Sequence, residues 1–458
     1  MLPTDRHVPG HTLPTEEFME NTDKHSIPGG AVIQGTPQQG LLGSTVGFFI
    51  GFAAVSLFGP TVAYLQNVTA LSAAAAGLLI SIPNLTGSLL RIPFSAMVDG
   101  DGGRKPFLIL LFVSLVGVIG IAVIISQPPE MLHQMFPWLL FFGALGGFGS
   151  ATFSVGISQT SYWFGKGRQG GALGTYAGLG NLAPGIFAFV LSTITIPRFG
   201  LSASYVIWAV LLAIGTGAYF LLGKNAPYFQ LRKAGVDDTT ARAEATKAGE
   251  ELFPAGNMMQ TLGRSASVWQ TWGLVIVYFT TFGGFMALTG WFPKYWESYH
   301  GMGIGVAGSM AALYSVLASL SRIVGGKLSD RYGGEKTAVV SLTGLAIGAA
   351  GMSFASGVPW GLVFMLVMSV SMGVANAAVF KLVPQAVPQA VGGAAGWVGG
   401  LGAFGGFVIP NLLAATLGIG VIGYARGFLV FVGLALVSII VIAVIARSFR
   451  VVTTTEEA

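Results

Sequence analysis

Twelve apolar stretches, each long enough to cross a membrane, constrain the fold of this chain more than any other feature. A spanning helix needs about 20 mostly apolar residues, and such stretches recur along most of the sequence. Only 9% of the residues are charged, against about a quarter in an ordinary soluble domain. The sequence therefore predicts an all-α membrane protein with spans at 41–66, 73–98, 106–126, 137–164, 169–193, 202–223, 270–293, 304–328, 337–356, 360–383, 391–418 and 426–447.

Polar segments divide the chain into two halves. The longest polar connection is rich in charges and fits a cytoplasmic linker, in which Asp238 is expected to cap a short helix that runs to about Glu251. No secretory signal is visible in the polar N-terminal segment. We predict a flexible cytoplasmic tail at 1–40, a six-helix bundle at 41–223, the linker at 224–268, a second six-helix bundle at 269–447 and a cytoplasmic tail at 448–458.

Loop charges predict the orientation of the chain, because basic residues concentrate in cytoplasmic loops. The predicted inner loops hold Arg104, Lys105, Lys166, Arg168, Lys327, Arg331 and Lys336. The predicted outer loops hold Arg198, Lys294 and Arg426. This bias predicts a multi-pass protein of the cell membrane with the linker and both termini in the cytoplasm.

Two internal repeats indicate that the halves are pseudo-symmetric. Helix 2 ends with Arg91-x7-Asp99 followed by Arg104, and helix 8 ends with Arg322-x7-Asp330 followed by Arg331, so these loops are predicted to gate the protein. Helices 5 and 11 carry matching ladders of small residues, which let helix backbones approach closely. The predicted conformational glycines are Gly170, Gly174, Gly178, Gly392, Gly396 and Gly400.

Three basic residues lie inside the predicted spans and more than one residue from either end, and no acidic residue does. The 18 acidic residues and the five histidines all fall in predicted tails, loops or the linker, whereas Arg91, Arg322 and Lys381 lie inside helices. A charge at the centre of a bilayer costs about 2.5–3.5 kcal/mol on insertion scales. An anionic substrate is the simplest group to neutralise these cations. The sequence predicts no catalytic constellation, no metal, no cofactor and no nucleic-acid partner.

Arginine suits an anion site because its planar guanidinium donates two parallel hydrogen bonds to an oxyanion. The alternative is that Arg91 and Arg322 lie near helix ends and extend to the lipid headgroups. Lys381 has the same two interpretations. It either extends to the headgroups or, together with Asn376, lines the path of the anion.

Several motifs resemble the major facilitator superfamily and, within it, the nitrate/nitrite porters. The superfamily resemblance rests on the run from Val98 to Lys105 and on the run from Gly326 to Gly334. The porter resemblance rests on segments 146–153, 168–174 and 178–181, and on segment 392–410. One departure is Asp99-Gly100-Asp101, where the family usually has Asp-Arg.

The resemblance implies roles for six residues. Arg91 and Arg322 match the two anion-binding arginines of the family, and Phe153 and Phe282 match aromatic residues that sandwich the flat anion. Tyr278 and Asn181 match polar groups near the site.

The resulting expectation is a monomeric secondary active transporter of nitrate or nitrite that works in the lipid bilayer by alternating access. Nitrate/nitrite exchange and proton-coupled uptake are equally compatible with the sequence. The alternatives are a carrier of another anion such as an organic phosphate, a membrane sensor without transport, and an open anion channel.

Overall fold

The computed structural model describes residues 33–56, 58, 73–254, 256–416 and 420–456, and helices are the only regular secondary structure in these ranges. Twelve helical segments, α1 to α12, correspond in order to the twelve predicted spans. Their bounds are Pro37–Phe52 (α1), Ala73–Ala96 (α2), Arg104–Ile125 (α3), Phe136–Gly146 with Phe148–Trp163 (α4), Lys166–Gly180 with Ala183–Val190 (α5), Ile196–Leu222 (α6), Trp269–Tyr278 with Gly284–Lys294 (α7), Ile304–Tyr332 (α8), Gly334–Phe354 (α9), Val358–Ala386 (α10), Val391–Ala403 with Gly405–Ala415 (α11) and Leu429–Glu456 (α12).

Nine helices of the described ranges are long and apolar enough to cross a membrane. The segments outside this set are α1, α2 and α5. The helix of α1 is described over only 16 residues, α2 begins beside residues that the structure does not describe, and α5 is interrupted after Gly180. The prediction of an all-helical membrane protein is confirmed.

Local chemistry explains where several helices begin. Thr36 caps α1 because its side chain accepts a hydrogen bond from the backbone N–H of Gln39, and Pro37 occupies the first turn, where its missing N–H costs nothing. In α6, Gly200 has a φ of +80°, which interrupts the helix just before the predicted start of this span. At the other end of the chain, α12 continues through residue 456, so most of the segment assigned to a C-terminal tail is helical.

The linker is folded. It forms three short helices, Pro227–Lys233, Asp238–Lys247 and Met258–Ser267. The prediction that Asp238 caps the middle helix is wrong, because Asp237 accepts the capping hydrogen bond from Thr240. Asp238 instead pairs with Arg242 at 2.6 Å.

The linker and both described chain ends lie at the same end of the helix bundle, which we call the linker end. Near the N terminus, Gln34 exchanges hydrogen bonds with Gln230 of the first linker helix. Near the C terminus, Ser448 of α12 accepts a hydrogen bond from Gln270 at the start of α7, just after the linker.

One carboxyl group anchors the linker. Glu250 is buried, and its Oε1 accepts a hydrogen bond from the backbone N–H of Tyr228 at 3.0 Å, while its Oε2 has no hydrogen-bond partner in the described part of the chain. Burial raises the pKa of Glu250 to about 8. The folded linker therefore holds a proton that an unfolded chain, with a glutamate pKa of about 4.3, releases.

This difference predicts a pH dependence of stability. The proton on Glu250 stabilises the fold fully below pH ~4.3, and this contribution is lost as pH rises through about 8. We expect Tm to fall between pH 6 and 9 and this fall to be smaller in Glu250→Gln, which keeps the acceptor but cannot ionise. Measuring the Tm of the parent and of Glu250→Gln across this pH range tests the prediction. The control is Glu251→Gln, and an equal slope in both variants would contradict the assignment.

Candidate functional site

The two arginines predicted from the sequence meet in the centre of the bundle. Arg91 on α2 is 3% exposed and Arg322 on α8 is 1% exposed. The guanidinium carbon of Arg91 lies 5.0 Å from the ring centroid of Phe153 and 5.5 Å from that of Phe282. For Arg322 the corresponding distances are 5.5 Å and 5.6 Å. Both cations therefore share one pair of rings, and neither extends to the headgroups.

The hydrogen bonds of the two guanidinium groups leave donors unused. Arg91 donates to the carbonyl oxygens of Gly399 at 3.0 Å and Ser150 at 3.4 Å. Arg322 donates to the hydroxyl of Tyr278 at 3.5 Å. The Nε of Arg91 and the Nε and Nη1 of Arg322 are buried without a hydrogen-bond partner in the described part of the chain. Within that part, neither arginine forms a salt bridge.

Parallel aromatic rings form the walls of the site. Phe153 on α4 and Phe282 on α7 have centroids 5.8 Å apart and planes 8° apart, and Tyr278 stacks on Phe282 at 4.9 Å and 4°. The ring of Phe380 on α10 packs edge-on against Phe153 at 5.2 Å. A planar ion between two rings needs about 7 Å, because each stacked contact takes about 3.5 Å. The two ring planes are at most 5.8 Å apart, so binding between Phe153 and Phe282 requires these rings to separate by at least about 1 Å.

A local change in helix geometry sets the alignment of the rings on α7. Residues Phe279–Gly283 form a π-helical turn inside α7, directly after Tyr278. Such turns are rare and occur often at functional sites. A Cβ added at Gly283 would lie 2.5 Å from the Cα of Gly405 on α11, so the turn also brings these two helices into close contact.

Two buried amides lie near the centre without using their full hydrogen-bonding capacity. Asn181, at the interruption of α5, is 4% exposed, and both its side-chain polar atoms lack a partner among the described residues. The backbone carbonyl oxygen of Asn181 accepts a weak hydrogen bond of 3.5 Å from the hydroxyl of Ser319 on α8. Asn376 on α10 is 1% exposed, and its Oδ1 is likewise unpaired there. Their contact with an anion stays a prediction.

Lys381 forms an ion pair with Asp330 that was not predicted, because the predicted spans placed Asp330 in a loop. Helix α8 continues to Tyr332 instead of ending near residue 328, and this extension holds Asp330 beside α10. The Nζ of Lys381 lies 2.7 Å from Asp330 Oδ1 and also donates to the carbonyl oxygen of Lys166. This ion pair accounts for the burial of Lys381, and its place in the anion path stays a prediction.

Asp99 joins the two halves at the linker end. Its carboxylate accepts hydrogen bonds from the backbone N–H groups of Gly392 at 2.9 Å and Gly393 at 3.2 Å, in the first turn of α11. A helix N-terminus favours negative charge at this position. The hydroxyl of Tyr162 on α4 donates to the same carboxylate at 2.7 Å. Burial raises the pKa of Asp99 to about 6 against the hydrogen bonds, which lower it.

Asp330 makes the matching contact between the other two helices. It accepts hydrogen bonds from the backbone N–H groups of Gly170 at 2.8 Å and Gly171 at 2.6 Å on α5. Lys381 occupies the place that Tyr162 has beside Asp99. We call these two carboxylate contacts the Asp99 latch and the Asp330 latch.

The glycine ladders continue the contacts of the latches toward the arginines. A Cβ added at Gly174 would lie 2.5 Å from the carbonyl oxygen of Arg322, and one at Gly178 would lie 2.8 Å from that of Ser319. On the other side, Gly396 and Gly400 approach the backbone of α2 in the same way. Helices α5 with α8, and α2 with α11, therefore pack backbone to backbone from the latches to the arginines.

The other two predicted gating residues make contacts within their own halves. The backbone N–H of Arg104 donates to Asn225 at 2.8 Å, and its guanidinium donates to the carbonyl oxygen of Phe220 at 2.8 Å. The guanidinium of Arg331 lies 5.2 Å from the ring centroid of its neighbour Tyr332. A gating role for either residue stays a prediction.

The sequence did not single out four residues that build the site. Gly399 supplies a carbonyl acceptor, Phe380 supplies an edge-on ring, and Tyr162 supplies the hydroxyl of the Asp99 latch. Tyr176 holds α4 in place by donating to the carbonyl oxygen of Phe153 at 3.0 Å. Of these four residues, Phe380 was the easiest to find from the sequence, because it directly precedes Lys381, which had already been identified as a basic residue within a predicted span. No group of three or more potential metal ligands occurs in the described ranges.

Comparison with known proteins agrees with this architecture. The family model described as Major Facilitator Superfamily matches residues 45–410. The chain is similar to the "Probable nitrate/nitrite transporter NarK2" of Mycobacterium tuberculosis, with 29% identity over 87% of this chain and 94% of that protein. It is also similar to the "Probable nitrate/nitrite antiporter NarK1" of Thermus thermophilus, with 29% identity over 81% and 83%.

A solved structure has the same fold. The proton:xylose symporter XylE superposes with a TM-score of 0.68 and 13% identity, over 88% of this chain and 94% of that chain. At this identity the likeness extends to the fold alone. The superfamily fold inferred from the sequence motifs is confirmed.

The close packing of α5 on α8 generates a prediction for Gly174→Ala. The added Cβ clashes with the backbone at Arg322, and overpacking of this kind costs ~1–3 kcal/mol. We expect the linker end to open more often and transport to slow. Because the chain contains no cysteine, Ser95→Cys, buried between α2 and α4, is a unique labelling site. Maleimide labelling at this position is expected to be faster in the Gly174→Ala background.

The matched control is Gly167→Ala on the same helix, where an added Cβ has no neighbour within 4 Å. We expect the labelling rate and transport of this variant to equal those of the parent. Equal labelling in the Gly174→Ala and Gly167→Ala backgrounds would show that the ladder does not control closure of the linker end.

Proposed function

The chain belongs to the Major Facilitator Superfamily, and from that premise we propose that it transports nitrate and nitrite across the cell membrane by exchanging one anion for the other. The names of its curated relatives, which include a probable nitrate/nitrite transporter and a probable nitrate/nitrite antiporter, support the substrate class. The residues of the central site support it independently.

The observation that carries the proposal is the pair of buried arginines without a carboxylate partner in the described ranges. Each cation inside the bilayer costs about 2.5–3.5 kcal/mol on insertion scales, and two like charges close together add repulsion. A monovalent oxyanion between the guanidinium groups offsets both terms. The three guanidinium nitrogens of Arg91 and Arg322 that are unpaired among the described residues supply its hydrogen bonds.

The parallel rings favour a planar ion. Nitrate and nitrite are flat, so they fit between Phe153 and Phe282 after a separation of about 1 Å from the present 5.8 Å. A tetrahedral phosphate ester is thicker and needs a larger displacement of two closely packed helices. This difference argues against the organic phosphate carrier considered from the sequence.

Alternating access follows from the relation between the arginines and the latches. In the present conformation both latches are formed, so the linker end is closed. We propose that the linker end faces the cytoplasm, as the loop charges predict. Repulsion between the empty arginines opposes full closure around the site, whereas a bound anion removes this repulsion and lets the halves rock to the opposite conformation.

Exchange fits the charge chemistry better than proton coupling at neutral pH. Among the described residues, the central site holds no carboxyl group or histidine that could exchange protons with the substrate. Asp99 is the buried carboxyl that favours the second candidate, proton-coupled uptake, because burial in this conformation raises its pKa to about 6. An exposed aspartate has a pKa of about 3.9, so closure takes up a proton mainly between pH ~4 and 6. Neutral pH lies above this range, so Asp99 is mainly ionised there.

The decisive experiment measures nitrate uptake into proteoliposomes that contain the purified chain as a monomer. We expect internal nitrite to accelerate uptake of external nitrate, and an inward proton gradient at pH 7 to have little effect. Uptake that depends on the proton gradient and ignores internal nitrite would instead establish symport. Flux that does not saturate with nitrate concentration, or stronger inhibition by a phosphate ester than by nitrite, would refute the proposal.

Arg91→Lys and Arg322→Lys test recognition by the guanidinium groups. Lysine keeps the positive charge but loses the planar set of donors, so we expect each variant to weaken nitrate affinity at least tenfold, which corresponds to about 1.4 kcal/mol. The control is Arg426→Lys, since Arg426 stacks on Phe354 away from the site. Nitrate affinity is measured by competition in the transport assay, and near-parental affinity in both site variants would contradict recognition by the arginines.

A further inference from the structure

A large cleft lies outside the transport site, at the linker end of the N-terminal half. It has a volume of about 1510 Å³ and is bounded by the first linker helix, the start of α3 and the end of α6. Arg104 is the first residue of α3, and Lys224 follows the last residue of α6 by two positions. The cleft therefore lies where two of the apolar helices long enough to span a membrane begin and end.

The cleft is basic. Six basic and three acidic side chains line it. The three acids have partners, since Asp99 forms its latch, Asp101 pairs with Lys105 at 3.0 Å, and Asp238 pairs with Arg242. Within the described ranges no carboxylate pairs with Arg104, Lys224 or Lys233. The Nε of Arg104 is also buried without a hydrogen-bond partner in these ranges. The surplus charge of the cleft is therefore positive.

An apolar groove continues from the cleft along the outer surface of α3 and α6. It has a volume of about 490 Å³ and shares Leu108, Ile109 and Phe220 with the lining of the cleft. Farther along the groove, Phe112 is 62% exposed and faces outward. At Gly217 an added Cβ would have no neighbour within 4 Å, so the floor of the groove is open there.

We propose that the cleft and the groove together bind one anionic glycerophospholipid. The basic cleft holds the phosphate and the charged headgroup, and the groove holds an acyl chain between α3 and α6. A soluble phosphate compound would leave the apolar groove empty, and a neutral lipid would leave the positive charge of the cleft without a counter-charge. Only an anionic lipid matches both halves of the surface, which is why we commit to this occupant.

The first test changes the charge of the cleft. The full chain is purified in detergent, and bound lipid is counted by native mass spectrometry during titration with phosphatidylglycerol or phosphatidylcholine. We expect tighter binding of phosphatidylglycerol. Each basic residue near a lipid surface contributes about 1 kcal/mol, so Lys224→Gln combined with Lys233→Gln is expected to weaken phosphatidylglycerol binding roughly thirtyfold.

The control for charge is Lys327→Gln combined with Lys336→Gln, which removes the same charge from exposed positions of the C-terminal half. We expect this variant to bind phosphatidylglycerol like the parent. Equal losses in both double variants would mean that general surface charge attracts the lipid, and equal binding of phosphatidylcholine would mean that the groove alone acts. Either result overturns the proposal.

The second test fills the groove. Gly217→Phe occupies the open floor and is expected to weaken phosphatidylglycerol binding at least tenfold. The control is Gly433→Phe, at a glycine of α12 that also has no neighbour within 4 Å. If inorganic phosphate displaces phosphatidylglycerol at equal concentration, or if Gly217→Phe has no effect, the cleft is a site for a soluble anion and the lipid assignment is wrong.

Discussion

Two guanidinium groups buried against the same pair of rings are the constraint on which this structure depends. Arg91 and Arg322 come from different halves of the chain, so their approach brings like charges to the interface between the halves. Carbonyl oxygens and one hydroxyl satisfy only part of their hydrogen-bonding capacity. Within the described part of the chain, the centre of the protein is thus left with positive charge and unpaired donors, as the proposed anion site requires.

The arginine pair was predictable because the information lay in the sequence alone. Counting charges within apolar stretches needs no geometry, and the repeated spacing to Asp99 and Asp330 places both arginines at equivalent positions in the two halves. The fold was predictable for a similar reason, since the length of an apolar stretch and the charge of a loop are local properties. Helix ends were less predictable, as α12 shows by continuing to residue 456.

Features that depend on long-range contacts escaped the sequence analysis. The partner of Lys381 was missed because Asp330 was assigned to a loop, whereas one further turn of α8 brings it within 2.7 Å. The parallel rings depend on a π-helical turn in α7, which has no clear sequence signal. The backbone carbonyl oxygen of Gly399 accepts a hydrogen bond from Arg91, and such a contact cannot be predicted from residue types because every residue has a backbone carbonyl.

The link between the site and the latches lies in α2 and α11. Along α2, Arg91 donates to the carbonyl oxygen of Gly399 and Asp99 accepts from the N–H of Gly392, so one helix contacts its partner at two points of opposite polarity. Between these points Gly396 packs directly against the backbone of α2, where an added Cβ would lie 2.8 Å from the carbonyl oxygen of Ile92. This packing connects the arginine and the carboxylate through one closely packed helix pair. The matching ladder of α5 on α8 gives Arg322 and Asp330 the same relation, so under the proposed mechanism a single anion between the arginines would act on both latches at once.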